Sequence, residues 1–344
     1  MANAMDDTLR KLTRACEVAP DDPEHWMRLA LARRKRGRMA GAMLAARRAW
    51  LLFSADETHK RAELERIFGR EVLSEDAATP GWLDCRALAD ALDAKTRQAH
   101  TLKLPEGAVL MRKGEPADLL YLVLKGRLAV LGETSEGRPP KLVNFVGPGA
   151  LLGESALEEG AVRTATVVAA EPAVVLRLAP EMVIRAWGQQ PELFIAFCKE
   201  RMMRTITTAL SSTPLFGELP LGVLRVLARV AWIEPFAPEE TIKPAHTYMP
   251  AFAVILRGVV HMLDTGEDPP VYAGRGTQGT VLGLPRLLGE EPPALMYRAE
   301  TKTELLFIPF DAMEDLMWEM PSFALRVRKA AEQQTQTLMQ TIAL

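Results

Sequence analysis

The chain has 344 residues, enough for two or three domains that each bury a core of their own. Its formal net charge is −2, so the strongly basic field of a nucleic-acid or membrane-surface binder is missing. Cys16, Cys85 and Cys198 are few, odd in number and far apart, which excludes a disulfide framework, and the five histidines stand singly with no metal-ligand spacing. The opening Met1-Ala2-Asn3-Ala4-Met5-Asp6-Asp7 has no basic segment leading into an apolar run, and no uncharged stretch approaches bilayer length. A cytoplasmic protein without signal peptide or membrane span is expected.

From Asp7 to about Arg70 the Ala, Leu and Arg-rich pattern predicts helices, broken at Pro20-Asp21-Asp22-Pro23. Ala15 recurs as Ala49 and Asp22 as Asp56, with Pro20 where Ser54 stands, all at one spacing, which is the tetratricopeptide period. Trp26, Leu29, Ala30, Gly37, Ala42 and Ala49 fall close to the tetratricopeptide pattern, and this segment resembles that repeat; a generic helical pair fits the same small residues. Arg28, Arg33, Arg34, Lys35, Arg36, Arg38, Arg47 and Arg48 form a run without an acid among them. Two readings apply: a docking face for an acidic partner, or the solvated face of a helix.

Ser74 to Pro80 reads as a linker and Leu83 to Leu92 as a short helix. Short apolar strands between glycines then follow: Val109-Leu110, Tyr121 to Leu124, Leu128 to Leu131, Leu142 to Val146 and, last, Ala173 to Leu178. Between the last two runs lies Leu152-Gly153-Glu154-Ser155-Ala156-Leu157, with Arg163-Thr164-Ala165-Thr166-Val167 a little further on. Gly153 permits a tight turn, the residues after it can start a short helix whose N–H groups favour an anion, and Arg163 supplies a forked cation. Glu154 is an acceptor for a hydroxyl.

These two runs resemble the phosphate-binding cassette of cyclic nucleotide-binding domains, and Leu104-Pro105-Glu106-Gly107, Lys113-Gly114-Glu115 and Leu124-Lys125-Gly126 match the turn spacing of that family's β-roll. The resemblance implies that Glu154 takes the ribose 2′-hydroxyl and Arg163 the cyclic phosphate. It also places Gly153, the amides near Ser155 and Ala156, and Thr164 around that phosphate. Leu152 stands where the family has an aromatic residue. After Pro180 helical spacing returns, and the family's lid helix implies a capping role for Phe194, Phe197, Arg201 or Met202; an apolar helical stripe is equally a packing face.

A second copy begins near Thr213-Pro214, echoing Thr79-Pro80. Gly126 recurs as Gly258, and Gly149, Leu152 and Gly153 recur at one common offset as Gly279, Leu282 and Gly283. Leu284, Pro293 and Ala294 replace Glu154, Arg163 and Thr164. Losing a charged hydrogen bond to a phosphate costs about 1.5–3 kcal/mol, so this copy is expected to bind a cyclic monophosphate poorly. The tail from Asp311 is helical, either the second domain's lid or a dimer contact, and nothing in it resembles a DNA-reading helix-turn-helix.

The expected architecture is α+β and multidomain: a helical tetratricopeptide-like segment over residues 1–75, a β-roll (jelly-roll-like) domain with intact cassette over 76–210, and a degenerate roll over 211–344, each roll with flanking helices. The expected function is that of a non-enzymatic receptor for cyclic AMP or cyclic GMP, with a cyclic dinucleotide also open. It would have no cofactor or metal and would relay binding to a protein partner through the N-terminal helices; a homodimer is compatible. The alternative is a structural adaptor whose rolls bind no ligand.

Overall fold

A computed structural model describes residues 2–74, 88–89, 92–132, 141–158, 160–266, 268–288 and 294–342. Most of the expected linker and of the helix at 83–92, with Thr79-Pro80, Cys85 and Pro293, lies outside them; residues 88 and 89 are helical. Two compact units form, one of residues 74–208 and one of residues 1–73 with 209–344.

The N-terminal segment folds as α1 (Ala2–Val18), α2 (Pro23–Lys35), α3 (Met39–Leu52), α4 (Thr58–Phe68) and α5 (Arg70–Leu73). Asp22 caps α2 by accepting from the Glu24 N–H at 2.9 Å, with Pro23 in the first turn, where no N–H partner is lost. Gly37, at φ +76°, reverses the chain into α3. Helix α3 is buried almost all round through Ala40, Gly41, Ala42, Ala45, Ala46 and Ala49, since small side chains let neighbouring helices approach.

The first roll follows α6 (Ala94–His100) with strands β1 (Thr101–Leu104), β2 (Val109–Met111), β3 (Leu120–Lys125), β4 (Leu128–Gly132), β5 (Lys141–Val146), β6 (Leu151–Leu152), β7 (Thr166–Ala169) and β8 (Ala173–Leu178), then α7 (Pro180–Gln189) and α8 (Pro191–Ser212). Two antiparallel sheets, ordered β1-β8-β3-β6 and β2-β7-β4-β5, enclose a core of Val123, Leu128, Val146, Leu152, Val167 and Val175. Tyr121 pairs with Leu152, which sets the end of β6 beside β3.

In the other unit α9 (Leu221–Val230) precedes β9 (Trp232–Phe236), β10 (Thr241–Lys243), β11 (Phe252–Arg257), β12 (Val260–Asp264), β13 (Val271–Gly276), β14 (Val281–Leu282), β15 (Leu295–Ala299) and β16 (Thr303–Ile308), and α10 (Phe310–Glu319) and α11 (Pro321–Ile342) follow. Its sheets, β14-β11-β16-β9 and β10-β15-β12-β13, repeat the first roll's pairing. No helix among the described residues is long and apolar enough to cross a membrane.

The basic run is not one face. Arg33 is buried, donating to Glu319 at 2.7 Å and lying 3.3 Å from Asp315, while Arg38 donates to both Asp315 oxygens at 2.9 and 3.1 Å. Arg47 is buried too and donates to the Leu73 carbonyl at 2.8 Å. Gly41 lets α10 approach α3, because a Cβ there would overlap the Asp315 carboxylate. Trp318 packs between Trp26, at 5.6 Å, and the Arg33 guanidinium, at 5.0 Å. Arg28, Arg34, Lys35 and Arg48 remain on the surface.

Removing Arg33 leaves Glu319 buried without its hydrogen-bonded cation and Asp315 with Arg38 alone, so Arg33→Ala should cost about 3–5 kcal/mol in urea unfolding. Burial pushes the Glu319 carboxyl up to about 8, against the pull of Arg33, and raises Asp315 as well. The folded form thus keeps a proton that the unfolded chain releases above its usual 4.5, and stability drains away as pH rises from there to about 8. The melting temperature should fall across that window, and Glu319→Gln should flatten the fall.

Candidate functional site

At the end of β6 the chain turns at Gly153, whose φ of +83° is left-handed, and enters the 3₁₀ turn Glu154–Leu157. The turn closes with the Ala156 N–H donating to the Gly153 carbonyl at 2.9 Å, so that amide is engaged within the turn. Arg163 returns from the following loop and is pinned by its own backbone: its N–H donates to the Glu115 carbonyl at 2.8 Å and its carbonyl accepts from the Gly114 N–H at 2.9 Å.

The Arg163 side chain is only 3% exposed. Nη1 donates to the Gly153 carbonyl at 3.2 Å, the guanidinium lies 5.4 Å from the Tyr121 ring centroid, and the Asp118 carboxylate, itself 79% exposed, is 3.5 Å from Nη2. A Cβ on residue 153 would fall 2.6 Å from Nη1 and 2.9 Å from the Leu119 carbonyl oxygen. Only glycine permits both the turn and the approach of the cation.

Glu154 lies 3.6 Å from Nη2 of Arg204 on α8. Arg204 also donates to the Leu151 carbonyl at 2.8 Å and to Glu200 at 3.1 Å, while its Nε and Nη2 are buried without a hydrogen bond. Arg204 and Glu200 are not among the sequence-derived candidates, although their spacing of four on one helix is a recognisable pair. A second tie joins Arg201 to Glu158 at 3.4 Å.

Gly153, Glu154 and Arg163 are thus brought together, with Ser155 and Ala156 in the turn and Thr164 exposed beside the buried arginine. Of the residues considered for a lid, Phe197 is buried in the core that holds Ala156, with Trp187 at 4.9 Å. Phe194 is 47% exposed, edge-on to Trp187 at 5.2 Å, and Met202 is 45% exposed. Arg201 is exposed as well.

In the second roll Gly283 keeps the left-handed turn at φ +85°, but the buried Met249 side chain lies where a Cβ would meet it at 3.5 Å. Leu284, also buried, stands in place of the carboxylate. Arg286 donates to the Met249 carbonyl, with its guanidinium 4.2 Å from the Phe310 ring centroid and 5.1 Å from that of Tyr248. In this turn Leu284 and Arg286 thus stand, at the common offset, where the first roll has Glu154 and Ala156.

A left-handed glycine, a 3₁₀ turn and a buried guanidinium thus converge at one strand end of the first roll. Residues 101–189 match the family described as cyclic nucleotide-binding domain, so the chain carries a domain of that family. The acetyltransferase Pat of Mycolicibacterium smegmatis is 41% identical over 98 residues, covering 28% of each chain. The CRP-like cAMP-activated global transcriptional regulator of Mycobacterium tuberculosis is 26% identical over 41% of this chain and 63% of its own. The cAMP-dependent protein kinase regulatory subunit of Emericella nidulans is 25% identical over 73% of this chain and 59% of its own. The chain therefore spans between 28% and 63% of the length of these relatives. Among solved structures, the regulatory domain of Toxoplasma gondii PKA with cAMP is 21% identical, covering 73% of this chain and 96% of that one, with a TM-score of 0.35.

Gly153→Ala forces a side chain into the left-handed region, at about 1–2 kcal/mol, and pushes the guanidinium aside. Urea unfolding should show a loss of at least that size, whereas Gly107→Ala, with open space around its Cβ position, should show only the backbone part.

Proposed function

We propose that this chain is a non-enzymatic receptor in which the first roll binds a cyclic mononucleotide, cyclic AMP or cyclic GMP, and the binding is relayed to a protein partner. One observation carries the reading: Arg163 is buried while the one carboxylate within reach among the described residues, Asp118, lies largely in solvent. A desolvated guanidinium is costly without a close anion, and a cyclic phosphate beside Gly153 supplies one with two acceptor oxygens. Glu154 accepts from the ribose hydroxyl, and a hydroxyl there shares the carboxylate with Arg204. Occupancy thereby bears on α8, and a difference in affinity between two placements of that helix is what a relay requires. Cyclic AMP is the first nucleotide to try, because the Mycobacterium and Emericella relatives are named for it.

The N-terminal helices, read as tetratricopeptide-like, are the proposed partner surface. Arg28, Arg34, Lys35 and Arg48 are basic side chains there still open to an acidic partner. The adaptor reading is favoured for the second roll alone, where Leu284 replaces the carboxylate and Arg286 is engaged with the Met249 carbonyl.

Calorimetric titration of the whole chain with cyclic AMP, cyclic GMP and a cyclic dinucleotide tests the proposal. A mononucleotide should bind with a stoichiometry of about one, and Arg163→Ala should weaken it by at least about tenfold, the equivalent of one charged hydrogen bond. Unchanged affinity in that variant, or no binding of any nucleotide, overturns it.

A further inference from the structure

A cavity of about 490 Å³ opens between α1 and α10, with no cassette residue in its wall. Leu9, Thr13 and Glu17, each one turn from the next, line it from α1 together with Arg10 and Arg14. Glu314 and Trp318 line it from α10, and Arg33, Arg38 and Asp315 complete it. The wall thus holds four guanidinium groups and three carboxylates. Arg33 and Asp315 are buried and engage each other, and Arg33 also donates to Glu319 and to the Gly41 carbonyl, so both are closed to a guest.

The α1 wall carries the means to hold an anion. Arg10 and Arg14 stand one turn apart on that helix, where like charges repel, and a carboxylate between them relieves the repulsion. The pairing of Arg14 with Glu17, at 3.2 Å, joins side chains 76% and 43% exposed, and a surface pair of that kind is weak enough to yield. Glu17 has a second tie when it does, since its other oxygen accepts from the Trp318 indole N–H at 3.4 Å. An entering carboxylate takes charge-assisted bonds from both arginines, and Leu9 and the half-buried Trp318 ring line the same space for its apolar stem.

We propose that this cavity receives an acidic side chain of the protein partner, carried on an extended segment that crosses the mouth between α1 and α10. The inference rests on the reading of the N-terminal helices as the partner surface, and it names where on that surface the acid enters. Charge selects an anion, and the width of the mouth selects a chain over a free acid. Arg14 is 76% exposed and Glu314 60%, so a small carboxylate stays in water on its open side, whereas a peptide segment covers that side itself.

Fluorescence anisotropy of fluorescein-labelled hexaglutamate, titrated with the whole chain at low ionic strength, should show binding that added salt weakens. Arg10→Gln/Arg14→Gln should lower the affinity by at least about tenfold with an unchanged melting temperature, both side chains being exposed. Arg28→Gln/Lys35→Gln, on the remaining basic surface, should leave it within about twofold. Independently of any variant, a benzophenone on the peptide should attach to residues 9–17 or 314–318. Succinate that displaces the peptide mole for mole makes the cavity a small-anion site and overturns the proposal. Binding that the Arg28/Lys35 variant removes and the Arg10/Arg14 variant keeps also overturns it, while leaving the partner-surface reading standing. Hexaglutamate that fails to bind at all overturns the proposal too, and the nucleotide titration decides the receptor reading separately.

Discussion

Everything distinctive about the first roll follows from the contact between a glycine and an arginine. Because residue 153 has no Cβ, the chain leaves β6 through a left-handed turn and the Arg163 guanidinium comes within 3.2 Å of the Gly153 carbonyl. That approach buries a permanent charge at a strand end, held from behind by two backbone hydrogen bonds to the β2–β3 connection. The roll is the frame that keeps the cation there: β3 carries Tyr121 beneath it, and β6, paired to β3, delivers the turn.

Most of this was legible in the sequence because its parts are near one another along the chain. Gly153, Glu154 and Arg163 lie on one short stretch, and the apolar runs between glycines reproduce β2, β3, β4, β5 and β8 nearly residue for residue. The common offset between the two copies likewise carries β5 onto β13, β8 onto β16 and α8 onto α11. What escaped are features that depend on distant partners. Arg204 ties α8 to a backbone carbonyl 53 positions away, and carbonyls leave no mark in a sequence. Arg33 looked like one more surface cation, because the carboxylate that buries it, Glu319, stands 286 positions on.

The second roll shows the reverse difficulty. The replacement of Glu154 by Leu284 is visible at once, and it says which chemistry has gone. It does not say what takes the space. Met249 is an apolar residue like many others until the fold sets it against Gly283, and Arg286 is one of several candidate anion ligands until its guanidinium is seen against Phe310. The loss of the carboxylate and the contacts of the side chains that replace it are separate matters, and only the first is written locally.

In the proposed reading, the replacement of Glu154 by Leu284 in the second roll has a bearing on the shape of any dose response. On that reading a chain with one binding roll takes up its guest along a simple saturation curve, without the steepness that two coupled pockets in one polypeptide generate. Sharper switching is then open to this molecule only by pooling pockets from separate chains, so that its sensitivity to small changes in guest concentration becomes a property of how many chains are present.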